Sequence, residues 1–104
     1  MSARALSFTF NDTNALRTAW MPLFERGGLF LPTQVRHRLG QRVYLLLTLP
    51  EENDARPASG IVAWISPSGM AGQREGGVGV HLDAEEQVLR EHIEALLALS
   101  LIHI

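Results

Sequence analysis

The alternation of hydrophobic and polar residues predicts that this chain consists mainly of β-strands. Leu6, Phe8 and Phe10 alternate with polar residues, which is typical of a half-buried strand. A continuous apolar run over 43–49 predicts a central strand covered on both faces, because both alternating sets of its side chains are largely apolar. Further strands are expected over 29–31, 58–65 and 76–82.

The hydrophobic period changes near residue 83 and predicts a C-terminal helix. Asp83 as N-cap and Glu86 three residues later are typical of a capping box. A single apolar stripe predicts that this helix packs on a sheet; it consists of Leu89, Ile93, Leu96 and Leu97. A shorter helix is expected over 15–20, after a cluster of turn and cap residues at 11–14.

The order of these elements predicts the fold class. Strands are followed by one C-terminal α-helix, without the alternation of strands and helices that gives parallel sheets. We therefore expect a mainly β fold, a small antiparallel β-barrel with a helix packed across it. Residues 1–104 are expected to form one domain, with secondary structure over about 5–98, the C-terminal helix over about 84–100 and a tail at 101–104.

Two glycine-rich stretches stand out within the predicted strands. Gly27 and Gly28 precede the strand at 29–31, and adjacent glycines permit a tight turn or bulge there. The stretch 76–79 carries three glycines, and a strand of this kind lets another backbone come close. The sequence thus predicts close backbone packing around the turn at 27–28.

Composition narrows the class of protein. The chain has a net charge of −2, no cysteine and no apolar run long enough to span a membrane. We expect a cytoplasmic protein, monomeric on its own, without direct membrane insertion or nucleic-acid binding. Basic and acidic residues are concentrated in different parts of the chain. Four arginines and no acid lie over 26–42, whereas five acids and one arginine lie over 83–94.

Residues with catalytic chemistry do not occur at a meaningful spacing. The four histidines are scattered, and we interpret them as surface or packing residues: His37, His81, His92 and His103. No nucleophile with a base, carboxylate pair or metal-ligand motif is found. The sequence therefore predicts no enzyme, no catalytic residue, no cofactor and no metal.

One candidate ligand site remains, formed by Arg36, Arg38 and Arg42. Arginine presents a planar fork of donors that suits phosphates, so these three side chains are a candidate site for a phosphate or nucleotide. The alternative is that they are solvated charges of a loop.

The ordered set of motifs resembles the PilZ domain family. It comprises Met21–Pro22, Gly27–Thr33, Leu39–Gly40, Val43–Pro50, Gly60–Trp64 and Gly76–Val80, and the resemblance extends over about 6–97. More narrowly, the chain is similar to the stand-alone branch of this family that acts in type IV pilus biogenesis.

The resemblance also shows what this chain lacks. PilZ domains bind cyclic di-GMP through an RxxxR motif and a (D/N)xSxxG motif. Aligning Gly28 with the last glycine puts Leu23 at the Asp or Asn position and Glu25 at the serine position, and Arg4 is followed four residues later by Phe8. The cyclic di-GMP site is therefore expected to be degenerate at Leu23, Glu25 and Gly28.

The resemblance implies a non-catalytic adaptor in pilus assembly and twitching motility. Its implied partners are the pilus extension ATPase and a degenerate GGDEF-EAL protein that carries the cyclic di-GMP. The alternative is a cyclic di-GMP receptor that uses Arg36, Arg38 and Arg42 as an unorthodox site.

Two segments are candidates for partner binding. The first is the apolar connection of Trp20, Met21, Pro22 and Leu23, because such residues are typical anchors of interfaces. Its alternative role is to plug the end of the barrel. The second is the apolar C-terminal tail with Leu99, Leu101 and Ile102, which binds a partner, pairs with another chain or packs as a helix end.

Overall fold

A computed structural model describes residues 5–33, 36–66 and 76–102, with side chains described up to residue 99. Arg4 and His103 lie outside these ranges. The strands are β1 (Ala5–Thr9), β2 (Gly28–Pro32), β3 (Arg42–Thr48), β4 (Arg56–Ser66) and β5 (Gly77–Leu82). The helices are α1 (Thr13–Ala19) and α2 (Gln87–Ile102), and a 3₁₀ turn over Ala84–Glu86 precedes α2.

The five strands form one curled sheet in the order β1-β3-β4-β5-β2. The mainly β fold with a helix packed on the sheet is confirmed. Four strands pair antiparallel, whereas β1 runs parallel to β3. The connection between these two strands contains α1 and β2. It is therefore long enough to bring β3 back parallel to β1.

The core lies on the inner face of the sheet, where both helices pack. Leu16 and Ala19 of α1 join Leu89 and Ile93 of α2 in the same buried cluster as the inward side chains of the strands. Leu96 and Leu97 pack against this cluster from its edge. The predicted apolar stripe of the C-terminal helix is therefore confirmed.

Strand β3 is central in the sheet but is not covered on both faces, so that prediction was wrong. Val43, Leu45 and Leu47 point into the core and are buried, whereas Tyr44 and Leu46 are exposed. The reason is that α1 and α2 both pack on the inner face. The outer side chains of β3 consequently remain accessible to solvent.

Asp83 lies at the N-cap position of the 3₁₀ turn, as predicted, but the predicted side-chain hydrogen bonds of a capping box are not made. Asp83 makes no side-chain cap hydrogen bond; its Oδ2 accepts from Ser59 Oγ at 2.7 Å and from Arg42 Nη1 at 2.5 Å. Glu86 Oε2 accepts from Ser59 N at 3.0 Å. Both carboxylates therefore bind strand β4, and that of Asp83 also binds Arg42 of β3. At α1 the expected cap is present, since Asp12 Oδ1 accepts from Ala15 N at 2.8 Å.

Candidate functional site

The connection from α1 to β2, residues 20–27, folds back against the edge of the sheet. Trp20 N donates to Leu16 O at 3.0 Å at the end of α1, and Trp20 forms an isolated bridge with Leu29. Met21 N then donates to Gly28 O at 2.8 Å. These bonds close the connection into a fixed turn beside β2.

Trp20 packs against the turn that it introduces. Gly27 has φ +75°, a conformation that glycine adopts readily, and a Cβ at this position would overlap the Trp20 ring. Trp20 also packs against the core. Its contacts are those of a residue that holds the turn in place.

Arg26 ties the far side of the turn to β5. Its main-chain N donates to His81 Nε2 at 3.2 Å, and its Nε donates to Leu82 O at 2.9 Å. Leu82 N donates to Gly27 O at 3.1 Å. The turn is thus bonded to β2 on one side and to β5 on the other.

The outer face of β5 has almost no side chains of its own. Gly77 and Gly79 leave the backbone bare, and other elements cover it. A Cβ on Gly77 would lie 2.7 Å from Phe30 Cζ; one on Gly79 would lie 2.9 Å from Met21 Sδ and 3.0 Å from Trp64 Cβ. We call Met21, Phe24, Phe30 and Trp64 the outer cover, since Phe24 similarly lies over Gly28 and against the His81 ring.

The structure divides the predicted docking connection into two parts. Trp20 and Met21 are half-buried and cover backbone, whereas Pro22 and Leu23 project into solvent. Leu23 is 98% exposed. In the predicted tail, Leu99 is 55% exposed, and positions 101 and 102 belong to α2 with side chains outside the described part.

The residues predicted to form a degenerate nucleotide motif lie in this same turn. Glu25 is exposed, with its carboxylate 3.8 Å from Arg26 Nη1, and Gly28 begins β2. The turn therefore displays an aliphatic side chain at Leu23 and a carboxylate at Glu25. Neither side chain donates a hydrogen bond to a phosphate, because an ionised carboxylate only accepts.

The structure separates the three candidate arginines. Arg36 and Arg38 are exposed and line an open depression together with the rest of the segment up to residue 41. Arg42 is not among the lining residues; it is ion-paired across β4 with Asp83, which follows β5. Of the three candidate arginines, only Arg36 and Arg38 line the depression.

The ion pair of Arg42 and Asp83 shifts the pKa values of both groups. Burial favours the neutral acid, but hydrogen bonds from Ser59 and Arg42 outweigh it and lower the pKa of Asp83. The same hydrogen bond raises the pKa of Arg42. Both groups stay charged near neutral pH, so Arg42 is engaged within the fold.

A second ion-pair cluster joins the β3–β4 connection to α2. Glu52 accepts from Arg56 Nε at 2.9 Å and from Arg56 Nη2 at 3.1 Å, and its Oε2 lies 3.0 Å from His92 Nε2. Hydrogen bonds from Arg56 and His92 lower the pKa of Glu52 to about 2. His92 is thus a packing residue at the edge of the helix.

Sequence analysis missed Trp64 and Leu39 as candidate contact residues. Trp64 is 55% exposed and Leu39 is 66% exposed. The register of β4 against β5 shifts between Val62 and Trp64, and such a bulge leaves little trace in a single sequence. A signal for Trp64 was available in the glycines of β5, which need a large residue from a neighbouring strand to cover them.

The described residues contain neither a metal-binding cluster nor a membrane-spanning helix. Within 5–33, 36–66 and 76–102, no group of three or more histidine, aspartate or glutamate side chains is arranged to hold a metal ion. None of the helices in the same ranges is long and apolar enough to cross a membrane.

These features define a small, curled β-sheet domain with its core on one face; on the other face, side chains of β2, β4 and the turn at 20–27 cover β5. The chain belongs to the PilZ family, because the model of that family, the PilZ domain, matches residues 5–99. No curated protein matches the chain. Family membership places the protein among binding and adaptor domains of cyclic di-GMP-related signalling.

Proposed function

We propose that this protein is a cytoplasmic, non-catalytic adaptor of type IV pilus assembly and twitching motility. It binds the pilus extension ATPase and a degenerate GGDEF-EAL protein, is monomeric on its own and does not itself bind cyclic di-GMP. The observation that carries the proposal is the turn at 20–27, which displays a fully exposed leucine where the nucleotide motif has a polar residue.

The chemistry of the turn argues against a nucleotide ligand. Leu23 cannot accept the hydrogen bonds that an Asp or Asn makes to a base or ribose. Glu25 places a negative charge beside the position of a phosphodiester, which adds repulsion. Two of the motif positions therefore oppose a cyclic dinucleotide.

The same turn is suited to a protein partner. Its backbone is bonded to β2 and β5, so little conformational entropy is lost when a partner contacts it. Burial of an exposed leucine contributes roughly 1.5–3 kcal/mol, which is enough for an anchor of an interface. Pro22, beside it, is already rigid.

The tail is the second proposed docking segment. Leu99 is exposed near the C-terminal end of α2, and the apolar residues 101 and 102 continue the helix. Because Arg17 Nη2 donates to Leu97 O at 2.9 Å, α1 also holds this end of α2. Two separate apolar segments would serve two partners.

Calorimetry with the purified full chain tests the proposal. We expect the wild-type protein to bind the extension ATPase and the GGDEF-EAL protein, and Leu23→Ser to weaken one of them about tenfold or more. Val88→Ser is the matched control, since it removes another exposed aliphatic side chain, on the outward side of α2. Absence of binding to both partners contradicts the proposal.

The alternative function is a cyclic di-GMP receptor. The observation in its favour is the open depression lined by Arg36 and Arg38. The engagement of Arg42 by Asp83 weakens it, because a site of three converging guanidinium groups is reduced to two. Saturable binding of cyclic di-GMP that is lost in Arg36→Glu/Arg38→Glu would establish this function instead.

A further inference from the structure

The segment 36–41, which we call the arginine loop, is fixed to strand β4. Gly40 N donates to Val62 O at 2.7 Å, and Val62 N donates to Gln41 O at 2.9 Å. Gln41 also accepts from Arg38 N at 2.9 Å through its side chain. The loop therefore presents its side chains from a defined backbone.

The attachment point lies beside the bulge that carries Trp64. Trp64 follows Val62 by two residues, roughly 7 Å along the strand. Its Cβ packs over Gly79 while more than half of the residue remains exposed. Leu39, in the arginine loop, is also largely exposed. The loop that carries Leu39 and the arginines is therefore bonded to β4 two residues before Trp64.

The arginine loop itself carries only positive charge. Arg36 and Arg38 are exposed, and the sequence contains no acid from residue 27 to residue 50. Exposed guanidinium groups beside apolar side chains complement a surface that carries carboxylates and an apolar anchor. An occupant of this region is therefore acidic and partly apolar.

The shape of the region favours a protein segment over a small anion. A small ligand is usually held in a concave site that buries most of its surface. The depression at the arginine loop is open, and a Cβ added to Gly40 at its centre would contact nothing within 4 Å. A ligand there would be held from one side, as at a protein interface.

A second copy of this chain is a poorer occupant. The exposed acids of another copy, for example Glu25, Glu91 and Glu94, all lie outside the arginine loop. Such a contact is heterologous, and unless its rotation closes a ring it repeats into open chains. We therefore look to a different protein.

We infer that the arginine loop and Trp64 dock an acidic segment of a partner protein, with carboxylates on Arg36 and Arg38 and an aliphatic or aromatic side chain against Leu39 and Trp64. This inference rests on the proposed adaptor function in its choice of partner, which is the extension ATPase or the GGDEF-EAL protein. It adds a surface distinct from Leu23 and from the tail.

The test measures the affinity of the full chain for each of these two proteins at low and at moderate salt. Arg36→Glu/Arg38→Glu is expected to weaken one of them at least about tenfold and to flatten the salt dependence, because exposed charges are screened by ions. Trp64→Ala is expected to weaken the same partner about tenfold at both salt concentrations. Arg90→Glu, on α2, is the matched control and should leave the affinity unchanged.

The outcomes separate this inference from the proposed function. If the wild-type chain binds a partner and all of these variants bind equally well, the inference is wrong and the adaptor function stands. If the wild-type chain binds neither partner, both fail. If the double arginine variant instead abolishes binding of cyclic di-GMP, the depression is a nucleotide site and the inference is overturned. Circular dichroism of each variant verifies folding, and the arginine variant decides the matter should Trp64→Ala fail to fold.

Discussion

The two faces of strand β5 are packed in opposite ways. On the inner face, Val78, Val80 and Leu82 fill space with their own side chains and are buried. On the outer face, Gly77 and Gly79 leave the backbone bare, and side chains of the outer cover close over it. Removal of side-chain atoms should therefore destabilise the inner face, whereas addition of side-chain atoms should destabilise the outer face.

This difference also separates stability from binding. The inner side chains contact both helices and hold the domain together. The outer cover connects β4 and β2 to the turn that displays Leu23, and Trp64 of the cover is itself exposed. Variants on the two faces should therefore differ in which property they change.

The largest effect is expected from loss of volume on the inner face. Leu82→Ala removes a fully buried side chain and should lower the free energy of unfolding by about 2–5 kcal/mol, as is typical of a cavity in a core. Leu46→Ala, on the exposed face of β3, should cost less than about 1 kcal/mol. Urea denaturation compares the two, and equal losses would contradict the distinction between the faces.

Addition of one methyl group to the outer face should have the next largest effect. A Cβ on Gly77 would lie 2.5 Å from Leu31 O and 2.7 Å from Phe30 Cζ, so Gly77→Ala forces the β2 backbone to shift and should cost about 1–3 kcal/mol. Gly40→Ala meets no neighbour and should cost about 1 kcal/mol, from its φ of +83° alone. Thermal unfolding of both variants measures this difference, and an unaffected Gly77→Ala would show that β5 and β2 are not closely packed.

Acid should weaken the link between the β3–β4 connection and α2. The pKa of Glu52 falls from 4.5 to about 2 on folding, so its contribution to stability is complete above pH 4.5 and is lost as the pH falls toward about 2. After allowance for solvent screening we expect about 1 kcal/mol. Glu52→Gln should remove this part of the acid dependence, measured by urea denaturation between pH 2 and 7, while Glu91→Gln, on the exposed side of α2, should leave it in place.

The smallest effect on stability is expected at the tip of the turn. Leu23→Ser alters a side chain that is almost fully exposed and should change the free energy of unfolding by less than about 0.5 kcal/mol. Its effect on partner binding should nevertheless be about tenfold. A large loss of stability in this variant would mean that Leu23 is a packing residue after all.

Much of the fold could be predicted because local patterns determine it. The stripe of α2 and the strands at β1, β2, β4 and β5 follow from hydrophobic period and from glycine and proline. The parallel pairing of β1 with β3 could not be predicted, because the side-chain period of a strand is the same in either direction. The open outer face of β3 depends on where the helices pack, and this is a tertiary property.

Within the candidate site, the turn at 20–27 could be predicted better than the residues around it. The connection at 20–23 was located from its composition, but which of its residues pack and which project depends on the bonds to Gly28 and β5. Asp83 and Glu86 matched a capping pattern, yet Ser59 of β4 binds both carboxylates and Arg42 of β3 binds that of Asp83. The bond to Asp83 removes Arg42 from the candidate anion site.

Calorimetric titration of the full chain with cyclic di-GMP tests the central claim most directly. The claim is that the turn at 20–27 of this PilZ domain binds partner proteins and does not bind cyclic di-GMP. It predicts no heat of binding and no thermal stabilisation by the nucleotide. Saturable binding with micromolar or tighter affinity would contradict it and would make this protein a cyclic di-GMP receptor.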